Sequence, residues 1–192
     1  MAEKNANIVK YGLSNVHYAV IKEDGKTYDT PKPIPGAVNL SLSAEGESNP
    51  FYADDRIYYN PTSNNGYSGD LEVAMITDEF KIDVLGYEKD EATGLLIENA
   101  DPITVELALL FEIKGDKKKR RNVFYKVSPG RPGEEHSTKA ESVEPKTDTL
   151  PITIIPTELN NKMRIRASVY EDENSYEDFY SKVVVPGATA EA

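Results

Sequence analysis

Residues Pro35 to Gly86 read PGAVNLSLSAEGESNPFYADDRIYYNPTSNNGYSGDLEVAMITDEFKIDVLG, and this stretch decides the fold. Val38, Leu40 and Leu42 alternate with Asn39 and Ser41, the period-two pattern of a half-buried strand. Leu71, Val73 and Met75 repeat that pattern against Glu72 and Ala74. Between the two strands lies a polar excursion, about 45–69, punctuated by Asn49-Pro50, Asn60-Pro61 and Asn65-Gly66. After them comes one short helix, predicted over 78–85. Thr77 is its N-cap and Asp78 and Glu79 sit at the positive end of its dipole. Phe80 and Val84 share one face, and Gly86 stops it in a left-handed cap.

Outward from this stretch the pattern stays β. Residues 16–21 form an apolar, β-rich run, and Thr104 to Ile113 is the clearest strand. Val105, Leu107, Leu109, Phe111 and Ile113 point one way there, and Glu106, Ala108 and Glu112 the other, with Leu110 an apolar exception. A hairpin through Gly115-Asp116 leads into 122–127, and further strands are expected at 150–155, 163–170 and 179–185. Short connections outnumber helix-length crossovers, so the class is mainly β and antiparallel. One β domain is expected over 11–186. Residues 1–10 would form an arm and 187–192 a flexible tail, and a second long loop, rich in Gly, Pro and charge, covers about 128–145.

Composition narrows the function classes. The chain of 192 residues has no cysteine, which removes disulfides and thiolate chemistry. Two histidines, His17 and His136, leave little material for a zinc site or an acid–base pair. The net charge of −11 disfavours general binding to nucleic acid. No apolar run approaches the ~20 residues of a membrane span, and the first twelve residues lack an apolar leader core, so the chain is expected to stay where it is made. Phosphate-loop, dinucleotide, nucleophile-elbow and zinc-protease motifs are all missing from the sequence.

Three clusters invite a functional reading. Asp54-Asp55 could hold a divalent cation, but neighbours on an extended strand point to opposite faces, and Arg56 beside them favours a surface ion pair. The basic run Lys117-Lys118-Lys119-Arg120-Arg121 reads as a phosphate patch, a solvated hairpin tip, or the partner of an acidic stretch on a neighbouring copy. Glu171-Asp172-Glu173 with Glu177-Asp178 is such a stretch. The aromatics say more: there are twelve tyrosines and no tryptophan, and Tyr52, Tyr58, Tyr59 and Tyr67 fall with Phe51 in the polar excursion. Tyrosine offers large contact area at low entropy cost and tolerates water. These rings either anchor one copy on another or form one face of two more strands over the core.

The ordered set YGLSNVHYAVI (11–21), PKPIPGAVNLSLSAEGE (31–47), FYADDRIYY (51–59), TSNNGYSGDLEVAMITDEFKIDVLG (62–86) and ALLFEIKGDKKKRRNVFYKV (108–127) resembles the major tail tube proteins of long-tailed bacteriophages, the siphophages of Gram-positive bacteria. The resemblance covers about residues 8–185 and rests on order and spacing. It implies a β-sandwich or partly rolled barrel of two antiparallel sheets with one flanking helix, here matched by Thr77–Gly86. It further implies a virion protein, assembled in the host cytoplasm, whose copies form hexameric rings stacked into a tube. Its partners would be further copies of itself, a tape-measure protein, a tail terminator and baseplate or distal tail proteins. DNA would pass through the lumen without specific binding, with no cofactor, metal or catalytic residue. Phe51, Tyr52, Asp54, Asp55, Tyr58 and Tyr59 are the expected inter-subunit and ring-stacking contacts, in a segment, 45–69, that matches the family's inter-ring loop, a task 128–145 could share, with Lys117 to Arg121 as a charged interface. The alternative reading is a β-sandwich carbohydrate-binding or other tail or neck accessory module.

Overall fold

The computed structural model describes residues 11–115, 119–136, 138 and 145–187. The strands in chain order are β1 (Leu13–Val20), β2 (Lys32–Pro33), β3 (Ala37–Glu45), β4 (Phe51–Ala53), β5 (Arg56–Tyr59) and β6 (Gly66–Val73). Helix α1 (Asp78–Leu85) follows, then β7 (Glu88–Lys89), β8 (Leu96–Ile97), β9 (Leu107–Ile113), β10 (Arg120–Pro129) and β11 (Asp148–Ile154). The chain closes with β12 (Thr157–Leu159), β13 (Lys162–Arg164) and β14 (Arg166–Tyr170). The expected arm over 1–10 and most of the tail lie outside the described residues.

One antiparallel sheet dominates, in the order β2-β1-β9-β10-β11-β6-β3, with β14 added to β10. Three two-stranded ribbons, β4-β5, β7-β8 and β12-β13, complete the strands. The expected pair of packed sheets is therefore one continuous sheet. It rolls on itself until β1 comes back against β3 without hydrogen-bonding to it, so the roll stays open. β10 makes the sheet fork: residues 120–124 pair with β14, and 127–129 pair with β11.

The main core fills the inside of the roll. Val16, Tyr18, Leu71, Leu107, Phe124 and Ile154 meet there, and α1 adds Phe80, Val84 and Leu85. A second cluster lies on the outer face, where Ala19, Ala108, Leu110, Val123 and Tyr125 are covered by Leu159 and Phe179. Leu110 is thus no exception to the alternation of β9. That strand is buried on both faces, and such strands read as continuous apolar runs. Glu112, also buried, pairs with Arg121 at 3.4 Å and accepts from Asn15 Nδ2 at 3.2 Å.

Several expectations need correction. Val38 is 53% exposed because the β3–β6 register shifts between Ala37 and Asn39, leaving Val38 as the extra residue of a bulge. Ala37, Leu40 and Leu42 face the core instead. Met75 lies past the end of β6 and is exposed. Residues 179–185 form no strand. A single 3-10 turn, Glu177–Tyr180, precedes an extended run whose valines pack on the second core. Ser128 and Pro129 belong to β10 rather than to the second long loop, and Gly133 is bridged to Thr149.

Helix α1 forms as its sequence dictates. The Thr77 hydroxyl accepts the Phe80 N–H at 3.3 Å, and Gly86 takes the left-handed conformation at φ 72°. A Cβ on Gly86 would also sit 2.9 Å from the Ile103 carbonyl oxygen. Phe80 meets Tyr18 edge-on at 4.9 Å.

Candidate assembly surface

The excursion between β3 and β6 is a hairpin arm rather than a loop. The two strands carry their pairing outward: Asn65 N–H donates to Glu45 O at 2.8 Å and Ser63 N–H to Glu47 O at 2.9 Å. Ser48 then bridges to Thr62, and Asn49 N–H donates to Pro61 O at 3.3 Å. Side chains reinforce this base. Ser48 Oγ donates to Asn60 Oδ1 at 2.6 Å, and the Ser63 hydroxyl accepts from Glu47 N–H at 2.9 Å. Where the arm joins the body, only glycine fits at 66, since a Cβ there would lie 1.8 Å from the Ile154 carbonyl oxygen.

The arm ends in β4 and β5, joined by a two-residue turn. Asp54 and Asp55 are its central residues, both with positive φ, 52° and 58°. A tight hairpin turn matching the strand twist demands that conformation, and Asp tolerates it. The two carboxylates are therefore turn formers, and not neighbours on an extended strand as the sequence suggested. Among the described residues, no group of three or more His, Cys, Asp or Glu could hold a metal ion.

Phe51 pairs with Tyr59 and Tyr52 with Ile57, with Tyr58 the extra residue of a bulge. All five of these side chains are more than half exposed, Tyr58 at 67%. The rings thus form two more strands, as one sequence reading held, but they do not lie over the core. Tyr67, counted with them in the sequence, is half-buried against Phe124 in the body. Ile57 was missed, and its position between Tyr52 and the tyrosine pair was the available signal. An isolated two-stranded hairpin is marginal in water. Covering each such side chain would contribute about 1.5–3 kcal/mol.

The other candidates are occupied within the chain. Lys119 Nζ lies 2.9 Å from Glu171, so the basic run and the acidic stretch are joined at this pair within one chain. Arg120 stacks on Tyr170, 4.7 Å from the ring centre, and Arg121 lies between Glu112 and Tyr176. Lys117 and Lys118 fall outside the described residues. His17 Nδ1 contacts Asn15 O at 2.9 Å, and its ring meets Tyr180 at 4.4 Å. His136 is exposed beside Glu134. A crevice beside α1 is lined by Tyr18, Asp29, Thr30, Lys32 and Asp83, but its charges are already paired, Asp83 with Lys32 at 2.6 Å and Asp29 with Lys22 at 3.4 Å.

The loop after β10 folds back on the helix end of the sheet, where Glu134 meets Lys81 at 3.4 Å and Arg131 meets Glu98 at 3.0 Å. Lys81 holds the Glu134 carboxyl below its ordinary range. Among the described residues no helix is long and apolar enough to cross a membrane. No protein-family model matches the chain, and no curated protein matches it either.

Proposed function

We propose that this chain is a tail tube subunit of a long-tailed bacteriophage, a structural protein that works by polymerising. Six copies would close a ring, and rings would stack into the conduit through which the genome leaves the virion. One observation carries this reading: the arm over residues 45–66 holds Phe51, Tyr52, Ile57, Tyr58 and Tyr59 out in solvent on a hairpin that pairs with no other described strand. A monomer gains nothing from such a device, whereas a polymer gains an anchor in every repeat.

The mainly antiparallel β class and the one short helix are compatible with this reading, although one continuous sheet stands where the resemblance implies two. The one buried carboxylate among the described residues, Glu112, is held by Arg121, and the partly exposed Asp83 by Lys32, which favours a scaffold over a reaction site. A net charge of −11 suits a conduit that must release phosphates rather than hold them. On this reading the other partners are a tape-measure protein, a terminator and the distal tail, and the protein resides in the virion.

Replacing Tyr58 and Tyr59 together by Ala tests the role of the arm. The expected variant keeps the circular dichroism and melting temperature of the parent and no longer sediments as polymer. Unfolding of the double variant would make these rings structural and remove the basis of the proposal. A protein that stays monomeric at every concentration and binds glycans saturably would support the carbohydrate-binding alternative instead.

A further inference from the structure

The arm returns to the body through Asn64, Asn65 and Gly66, and the pairing changes there. The ladder between β6 and β11 stops at Tyr67 opposite Ile154, one residue short of Gly66. On the other side, the Asn65 N–H donates to Glu45 O at 2.8 Å, where the arm begins. The Gly66 N–H reaches only a nearby side chain, Asn64 Oδ1, across a long 3.3 Å. Asn65 is exposed, and Gly66 beside it is buried. The joint between arm and body thus has one residue open to water and one backbone nitrogen weakly held.

Asn65-Gly66 reads in the sequence as loop punctuation, but the pair also carries a chemistry of its own. Of all the asparagines in the chain, only Asn65 is followed by glycine. A side chain on the following residue shields its nitrogen from the asparagine amide, whereas glycine leaves the nitrogen open and its backbone free to swing. Packing fixes glycine here. Position 66 takes φ 112°, and a Cβ would fall 1.8 Å from the Ile154 carbonyl oxygen. The close approach of β11 to the arm base therefore keeps an unshielded nitrogen next to an exposed amide.

We infer that Asn65-Gly66 is a self-modification site, where deamidation loosens the joint between arm and body. Solvent base takes the Gly66 N–H proton, and the nitrogen attacks Asn65 Cγ. A C–N bond forms, the Cγ–Nδ2 bond breaks and ammonia leaves, closing a five-membered succinimide. Water then opens the ring at either carbonyl. Asparagine and water have become isoaspartate or aspartate and ammonia, with nothing oxidised or reduced. Isoaspartate carries the main chain through Cβ and Cγ, so the backbone gains one C–C bond at residue 65, about 1.5 Å. The arm strand shifts by that length against its partner. Ser63 N–H and Asn65 N–H then lose register with their acceptors, Glu47 O and Glu45 O. Aspartate keeps the backbone and adds a charge alone. One copy suffices for this chemistry, so it holds whether or not the chain polymerises.

The test ages the folded full chain at mildly alkaline pH and reads it by peptide mass spectrometry with electron-transfer fragmentation. A gain of about 1 Da, amide to carboxylate, is expected at residue 65. It should accumulate about tenfold faster there than at any other asparagine, with isoaspartate the main product. Hydroxylamine added to the folded protein should trap the succinimide and cut the chain between 65 and 66, and Asn65→Ala should abolish the cut. Deamidation at 65 no faster than at the other asparagines would overturn the site. Hydrogen exchange of the separated isoaspartate form then reads the joint. The amides of Asn49 and Ser63, which pair across the arm, should exchange about tenfold faster than in the parent. Asn65→Asp, with the charge but not the longer backbone, should keep the parental exchange. Parental protection in the isoaspartate form, or equal loss in Asn65→Asp, would overturn the loosening by backbone length.

Discussion

The Tyr18 hydroxyl donates to the Asp83 carboxylate across 2.8 Å and so ties the innermost face of β1 to α1. Lys32 completes the latch, 2.6 Å from Asp83 and 2.9 Å from Glu79. The bond joins residues 65 positions apart in sequence. Tyr18→Phe keeps the ring against Phe80 and removes only the bond. Because Asp83 remains partly solvated and paired with Lys32, the expected loss is about 1 kcal/mol, read from urea unfolding. An unchanged midpoint would mean that the latch adds nothing to packing.

Burial raises the tyrosine hydroxyls of Tyr18, Tyr28 and Tyr180 above their ordinary range, and pushes Tyr125 up to about 12. Asp83 adds to the effect at Tyr18, and it also raises Lys32 by hydrogen bonding. A group whose value is raised on folding contributes fully while both states are protonated. Above the unfolded value of 10.0 the unfolded chain ionises first, so that contribution is lost as pH rises through the folded value. Stability in urea should therefore hold from pH 8 to about 10 and fall steadily beyond it. The β-sheet dichroism at a fixed urea concentration should fall over the same range. A midpoint flat to pH 12 would contradict this.

The helix cap and core give a graded series. Thr77→Ala should cost about 1 kcal/mol through the lost Phe80 N–H acceptor. Phe80→Ala, at a ring that is 1% exposed, should cost about 3–5 kcal/mol. Gly86→Ala should fall between them, since it combines positive φ with crowding by the Ile103 carbonyl. The order is checked by chemical denaturation of the three variants, and Thr77→Ala exceeding Phe80→Ala would refute it.

If Asp54 and Asp55 serve the turn, Asn and Gly should serve as well. The pair Asp54→Asn/Asp55→Gly is expected to assemble like the parent, and chelator should leave both unaffected, because Asn-Gly is the preferred sequence for a two-residue turn of this kind. Asp55→Val should impair assembly without lowering the melting temperature of the body, since a β-branched residue resists positive φ. Loss of assembly in the Asn-Gly variant would return the carboxylates to a binding role.

Assembly brings together copies that each carry a net charge of −11. Asp54 and Asp55, at the tip of the arm, contribute to it where the arm would meet another copy. Like charges oppose the approach until salt shortens their reach, from about 30 Å at 0.01 M to about 10 Å at 0.1 M. Light scattering should record faster assembly as sodium chloride rises across that range. Slower assembly would mean that the contact is carried by opposite charges.

Helix α1 and the strands β3, β6 and β9 are legible because their signals are local. Thr77, Phe80, Val84 and Gly86 act within a few residues of each other, and the strand alternation needs no partner. What sequence could not supply depends on pairing across distance. The bulge at Val38 exists only against β6, so period-two counting placed that side chain inside. Leu110 looked anomalous because its covering residues, Leu159 and Phe179, lie far along the chain. Residues 179–185 carry strand composition but find no ladder, as β14 already occupies the edge of β10. For the site, the tyrosine cluster and a two-strand reading of it were visible, and its projection away from the core was not. Pro50, Asn60, Pro61 and Asn65 are loop formers in isolation, and the pairing of Glu45, Glu47 and Asn49 with the returning strand overrides them.

The central claim is that the chain polymerises into a tube. Electron microscopy of the concentrated, purified full chain tests it most directly, with the Tyr58→Ala/Tyr59→Ala variant beside it. The account predicts stacked rings or hollow tubes of uniform width for the parent and dispersed particles for the variant. Dispersed monomers for the parent at every concentration, in low and high salt alike, would contradict it.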